Sequence, residues 1–339
     1  MSTALVARLD SAGDVLITGP AVRAVAACHD HVAMLVGPRG RQAAELLPGV
    51  DEILEWQAPW VDFDSPELTA DHVAALVKQL GDLGAARAFV FTSFHQSPLP
   101  LALLLRMAAV PWVGAICEDY PGTLLDLRHH VAPGTPEPLR ALSLAEAGGC
   151  ALPDGDGDGL RVRPTGAIPI HVRDLIGAER FVAFHPGAAV PARMPSPDRS
   201  AAMVRALTAA GYRVVVTGGP DERSLTAEVA GSVAVDLGGL LDLAGLAAVY
   251  AAARVVVAPN TGPAHLAAAV GTPVVSLFAP VVPASQWSPH TTAVSILGDQ
   301  YAACRGTRAR QCPVTGHPCL DHITDAALVA AVHQWEGEP

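Results

Sequence analysis

Seven residues, Pro259-Asn260-Thr261-Gly262-Pro263-Ala264-His265, stand between an apolar run at 255–258 and an alanine-rich helical stretch, and a second apolar run at 273–278 follows Gly271-Thr272. Strand, polar turn, helix, strand is the pattern of one βαβ crossover. A turn at the carboxyl end of a parallel strand is where open α/β sheets bind ligands, and backbone N–H groups at a helix start suit anionic oxygens. The segment therefore points to a phosphate-bearing ligand. Helix capping is the competing account: it explains Asn260, Thr261 and the Gly262-Pro263 turn, but it leaves His265 unexplained.

Three further turns share this character. Asp10-Ser11-Ala12-Gly13-Asp14 closes a first strand, His185-Pro186-Gly187-Ala188 leads on to Arg193, and Thr217-Gly218-Gly219-Pro220-Asp221 runs into Glu222. The elements that must position them alternate regularly. Periodicity predicts strands at 4–9, 32–36, 52–55, 88–92 and 112–116, with helices at 20–29, 41–47, 71–83 and 99–109. It restarts with strands at 181–184, 212–217, 233–237, 255–258 and 273–278, interleaved with helices at 198–210, 221–230 and 243–253. Such alternation argues for parallel sheets covered on both faces.

Between the halves, Pro153-Asp154-Gly155-Asp156-Gly157-Asp158-Gly159 reads as a solvated linker. It imitates the start of an EF-hand, but Thr165 stands where the bidentate Glu belongs. The expected organisation is a first Rossmann-like domain over 1–160 with a linker at about 153–165, a second over 166–322, and a closing helix in 323–339 able to pack back on the first. Two doubly wound domains would then face one another across a central cleft.

A length of 339 residues fits two domains, and a net charge of -11 leaves no bulk cationic field for nucleic acid. No apolar run reaches the ~18 residues that span a bilayer and no leader pattern opens the chain, so a cytoplasmic protein is expected. Lys78 is the only lysine among many arginines, the mark of GC-rich coding. Cys304, Cys312, His317, Cys319 and His322 invite a zinc reading, but they lack the paired spacing of a tetrahedral site, and free thiols are expected.

Taken together, the stretch from Arg8 to Leu16 with Pro20-Ala21, His185 to Ala188, Val216 to Gly219, Asn260 to Ala267 and the tail with Cys312-Pro313, Cys319 and Ile323 resemble glycosyltransferase family 9, the ADP-heptose:lipopolysaccharide heptosyltransferases. The resemblance implies a GT-B fold, an inverting and metal-independent transferase, no cofactor beyond the nucleotide-sugar co-substrate (ADP-heptose), and a glycan or small-molecule acceptor. It leaves room for a peripheral contact with the inner membrane.

The resemblance makes Asp14 the general base, a role that shares the residue with an N-terminal capping function. It places Gly13, Gly187, Ala188, Arg193, Thr217, Gly218, Glu222, Leu241, Asn260, Thr261, Gly262 and His265 at the donor. Arg193 stands where relatives carry Lys against the phosphates, Glu222 beside the nucleoside ribose, and Thr261, Gly262 and His265 in the diphosphate turn. Ser11, His95 and Asp119 fall on the acceptor side. Asn260 departs from the Asp usual in the family, and Thr307 from a second Cys. A different nucleotide sugar, an epimerase or hydrolase, and a non-catalytic nucleotide-sugar binding protein stay open as alternatives.

Overall fold

A computed structural model describes residues 2–61, 65–291 and 293–335. The chain divides into two compact units, Met1–Arg163 and Pro164–Pro339. In the first, β1 (Thr3–Arg8), β2 (His31–Val36), β3 (Glu52–Glu55), β4 (Arg87–Val90), β5 (Trp112–Ile116) and β6 (Leu127–His129) form one sheet in the order β3-β2-β1-β4-β5-β6. The second contains β7 (Phe181–Phe184), β8 (Arg213–Val216), β9 (Val235–Asp236), β10 (Val255–Pro259), β11 (Val274–Leu277) and β12 (Val294–Leu297), ordered β12-β11-β10-β7-β8-β9.

All strand pairs are parallel. Counted within its own unit, each sheet has the order 3-2-1-4-5-6 of a doubly wound fold. The central strands are unbroken apolar runs because helices cover both of their faces: Ala4, Leu5 and Val6 in β1, and Val255, Val256 and Val257 in β10, are wholly buried. In such a sheet the crossovers leave in opposite directions at one place. Here those places lie between β1 and β4 and between β7 and β10, and ligands bind outside the carboxyl ends of such strands.

Two edge strands were not legible in the sequence. β6 is Leu-Arg-His and β12 is only partly buried, so neither has the apolar continuity of an inner strand. The predicted helix at 20–29 is the second of a pair, Ala12–Ile17 and Gly19–Cys28, which meet at Thr18.

The expected solvated linker is part of the first unit. Arg23, on helix Gly19–Cys28, donates from Nε to Asp156 Oδ2 (2.9 Å) and from Nη2 to the carbonyls of Gly157 (2.8 Å) and Gly159 (3.0 Å). Arg163 N–H bonds Leu46 O at 2.7 Å. A glycine-rich turn exposes carbonyls that a buried guanidinium can collect, and Asp156, held by Arg23 and Arg161, is committed to arginines.

The closing helix, Asp325–His333, contributes to the second unit's core. Leu328 and Val332 are fully buried there, and Trp335 Nε1 donates to Ser295 Oγ at 3.0 Å. Among the described residues no helix is long and apolar enough to cross a membrane.

Candidate active site

In the first unit, β1 ends at Arg8, and the chain turns through Asp10 and Ser11 into helix Ala12–Ile17. Asp14 occupies the first turn of that helix. Its Oδ2 accepts from Ser11 N–H (3.2 Å) and from Ser11 Oγ (2.6 Å), and its Oδ1 accepts from Arg8 Nη2 (3.0 Å). Asp14 is therefore not the N-cap of a helix starting near Val15: Ser11 is the N-cap, and Asp14, at the third helical position, accepts its N–H with the same carboxylate that the family resemblance marks as a base. With its side chain 19 % exposed, the group reaches solvent. Gly13 is buried in the same helix.

Arg8 is a buried hub that the sequence reading did not single out. Its Nη2 lies 3.0 Å from Asp10 Oδ2 and 2.9 Å from Ser93 Oγ, and Ser93 Oγ donates to Asp10 Oδ2 at 2.8 Å. Burial alone would lower Arg8, but the Asp10 and Asp14 carboxylates outweigh it and raise the guanidinium. Burial pushes Asp10 above the usual carboxylate range against the pull of Arg8, and does the same to Glu137, whose Oε2 is 3.5 Å from Arg140 Nη1.

Three carboxyl groups thus share two guanidinium groups, and burial favours the protonated form at Asp10 and Glu137. An arginine ending a wholly apolar strand was the available signal for this hub. Glu137 and Arg140, far along the chain, had none. His95 and Asp119 lie on separate exposed turns after β4 and β5, His95 with its ring edge-on to Phe94 at 5.6 Å.

The second unit gathers most of the expected donor residues at its own switch point. His185 N–H bonds Val257 O (2.9 Å), which sets the His185–Ala188 turn beside the end of β10. Glu222 Oε2 accepts from Gly219 N–H at 2.7 Å and lies 3.8 Å from His185 Nε2. A Cβ on Gly187 would fall 1.8 Å from Glu222 Oε1, and one on Gly218 would meet Thr226 Cγ2 at 2.5 Å. Gly218 is therefore required by close approach, while the side-chain space of Gly187 is taken by the Glu222 carboxylate.

Thr217 is fully buried, 3.1 Å from His185 Nδ1 and 3.1 Å from the Tyr250 hydroxyl. Gly239 N–H bonds Gly218 O (2.9 Å), which lays the loop carrying Leu241 against this turn; Leu241 packs over Gly245. Arg193, half-buried, closes the 3-10 turn Pro191–Arg193 at the far end of the β7 loop.

At the end of β10, Thr261 begins helix Gly262–Ala269 in an extended conformation but makes no side-chain cap bond. Asn260 is 3 % exposed, and its amide Nδ2 meets no hydrogen-bond partner among the described residues. Capping therefore does not account for these two side chains. An unpartnered buried amide is costly unless something completes it, and here it sits at the carboxyl end of β10 beside the N–H groups that start helix Gly262–Ala269. His265 is buried in the first helical turn. No group of three or more His, Cys, Asp or Glu among the described residues is placed to hold a metal ion.

Residues 166–316 match the model of glycosyltransferase family 9 (heptosyltransferase). No curated protein is significantly similar to the chain in sequence. Among solved structures, a family 9 glycosyltransferase from Veillonella parvula superposes with a TM-score of 0.80 at 16 % identity over 98 % of this chain and 97 % of its own. The ADP-heptose lps heptosyltransferase II of E. coli gives 0.76 at 18 % identity, covering 99 % and 98 %. E. coli heptosyltransferase WaaC, with ADP-2-deoxy-2-fluoro heptose, gives 0.69 at 18 % identity, covering 98 % and 99 %.

At such identities the structural likeness is one of fold, while the sequence match lies in the unit that holds the Asn260–His265 turn. Residues 166–316 are thus similar to glycosyltransferase family 9 (heptosyltransferase), and the two parallel α/β sheets match those of heptosyltransferase structures in fold.

Proposed function

We propose that the protein transfers heptose from ADP-heptose to an acceptor hydroxyl with inversion, the second unit holding the donor and the first supplying the base. The acceptor oxygen attacks the anomeric carbon opposite the diphosphate. Its proton passes to the Asp14 carboxylate, and the bond from the anomeric carbon to the diphosphate oxygen breaks with the electron pair leaving on ADP. Arg8 and Ser11 hold Asp14 in one orientation for that transfer.

Departure of ADP needs positive groups where the charge develops. Arg193, the N–H groups opening helix Gly262–Ala269 and the Asn260 amide suit that task. The observation that carries the reading is Asn260: a buried amide whose Nδ2 has no partner among the described residues, at a helix start at the carboxyl end of β10. Donor chemistry follows the family 9 match and the relatives seen with ADP and an ADP-heptose analogue. The acceptor is a glycan or small molecule with a free hydroxyl. Six free thiols suit a reducing compartment, and we place the protein in the cytoplasm.

The test is incubation with ADP-heptose, following ADP release and the mass of the product. Asp14→Asn should lower turnover by roughly a hundredfold to ten-thousandfold, the range for a positioned general base, with ADP affinity unchanged. Unaltered turnover would remove Asp14 from the mechanism, and absence of binding by any sugar nucleotide would defeat the donor assignment.

A further inference from the structure

Two cysteines far apart in the chain meet beside the start of β4, at the end of the first sheet opposite the one that carries Asp14. Helix Gly19–Cys28 packs on helix Glu137–Ala147. The second helix stops at Gly148-Gly149, where Gly149 takes a left-handed φ of 85° that only glycine adopts without strain. That turn buries Cys150, whose N–H bonds Ala145 O at 2.9 Å. Cys28 is exposed at the end of the first helix, with its Sγ 3.7 Å from Gly149 O, and its thiol is hydrogen-bonded to that of Cys150.

A guanidinium completes the group. Arg87 donates from Nη2 to Gly148 O at 2.7 Å, lies 3.9 Å from the centre of the Trp112 ring, and hydrogen-bonds the Cys150 thiol. Burial and the adjoining Cys28 thiol push Cys150 up to about 12, whereas Arg87 pulls it down. While both thiols are reduced, Cys150 is therefore held protonated, and of the two only Cys28 meets solvent. Oxidation of Cys28 removes the opposing thiol and leaves the pull of Arg87 in place, so the Cys150 thiolate forms more readily once a partner for it exists. An accessible thiol poised next to a second, resolving thiol is the arrangement of a redox-sensing pair.

We propose that Cys28 and Cys150 form an oxidation site, at which a hydroperoxide converts the two thiols into a disulfide joining the two helices. With hydrogen peroxide, the Cys28 sulfur attacks one peroxide oxygen, the O–O bond breaks, and Cys28 becomes a sulfenic acid as one water leaves. The Cys150 sulfur then bonds to the Cys28 sulfur and the S–O bond breaks. Its oxygen departs as a second water with the proton that Cys150 gives up. The thiols lose two electrons and two protons, and the peroxide is reduced to water.

In a reducing compartment the pair stands as two thiols, and the bond would persist only while oxidant is present. Helix Gly19–Cys28 meets the helix bearing Asp14 at Thr18, and helix Glu137–Ala147 carries Glu137 and Arg140. The disulfide would therefore tie together two supports of the Asp14 cluster. Nothing in this pair depends on the donor or acceptor assignment.

The experiment exposes the full chain to hydrogen peroxide, blocks the remaining thiols and maps sulfur chemistry by mass spectrometry of an unreduced digest. Wild type, Cys28→Ser and Cys150→Ser are compared. Wild type should give a linked Cys28–Cys150 peptide pair that dithiothreitol separates. Cys150→Ser should lose the link and accumulate Cys28 sulfenic acid, trapped by dimedone, in excess over wild type. Cys28→Ser should leave Cys150 a free thiol at the same dose.

In wild type, Cys28 advancing to sulfinic acid while Cys150 stays a free thiol would overturn the proposal. A disulfide from Cys28 to any other cysteine, or to a second copy of the chain, would do the same. So would survival of both thiols under a dose that oxidises free glutathione completely. The wild-type map decides between these outcomes even where a variant fails to fold.

Discussion

Gly187→Ala isolates the role of the Glu222 carboxylate with one methyl group. The new Cβ would lie 1.8 Å from Oε1 and 2.5 Å from Cδ, so the carboxylate must retreat by about 1.6 Å to reach ordinary contact at 3.4 Å. The obstacle is the end of a flexible side chain that is 28 % exposed, so the fold has an inexpensive escape: Glu222 swings outward into solvent. That movement gives up the 2.7 Å bond from Gly219 N–H and the approach to His185.

A hydrogen bond to a charged group contributes about 1.5–3 kcal/mol, but water compensates an exposed carboxylate, so stability should fall by only about 1 kcal/mol. Ligand contacts have no such compensation. Losing a charged acceptor to the nucleotide should weaken ADP by roughly tenfold to a hundredfold. Thermal unfolding alongside calorimetric titration separates the two effects. A variant that melts within a few degrees of wild type yet binds ADP equally well would refute the argument that Glu222 must stand at Gly187 for the donor site to form.

The remaining predictions concern pH and the docked loop. Burial depresses His185, so the native state keeps the ring neutral in a range where the unfolded chain, near the ordinary 6.5, already binds a proton. Its contribution to stability is therefore complete above pH 6.5 and falls as pH drops from there through the folded value. Melting temperatures between pH 7.5 and 5 should decline more steeply for wild type than for His185→Gln, and parallel profiles would show that the ring does not titrate on unfolding. Arg23→Ala removes the guanidinium that gathers Asp156 and the carbonyls of Gly157 and Gly159. It should cost about 2–4 kcal/mol in denaturant unfolding, as a broken buried ion pair does, whereas a loss under about 0.5 kcal/mol would restore the picture of a solvated linker.

The order of elements, the two parallel sheets and the turns that carry polar residues were all legible in the chain, because inner strands of a parallel sheet are buried on both faces and read as continuous apolar runs. β6 and β12 escaped for the converse reason: an edge strand needs only one neighbour and tolerates Arg128, His129 or an exposed Ile296. The glycine-rich stretch at 153–159 has the composition of a solvated turn, and nothing local reveals that Arg23, more than a hundred positions earlier, binds it.

Local spacing determined that Asp10 to Asp14 forms a polar turn after the first strand and that Asn260 to His265 opens a helix, since both patterns act within a few residues. It also determined the anionic balance, which leaves no bulk cationic field for a nucleic-acid backbone. Only the tertiary structure decided what surrounds those residues: Ser93 and Glu137 brought to Arg8, Tyr250 brought through Thr217 to His185, and the Glu222 carboxylate filling the space above Gly187. Burial is the physical reason. A polar group taken out of water must find partners wherever the chain supplies them, and those partners are set by the packing of distant strands and helices, which no local pattern encodes.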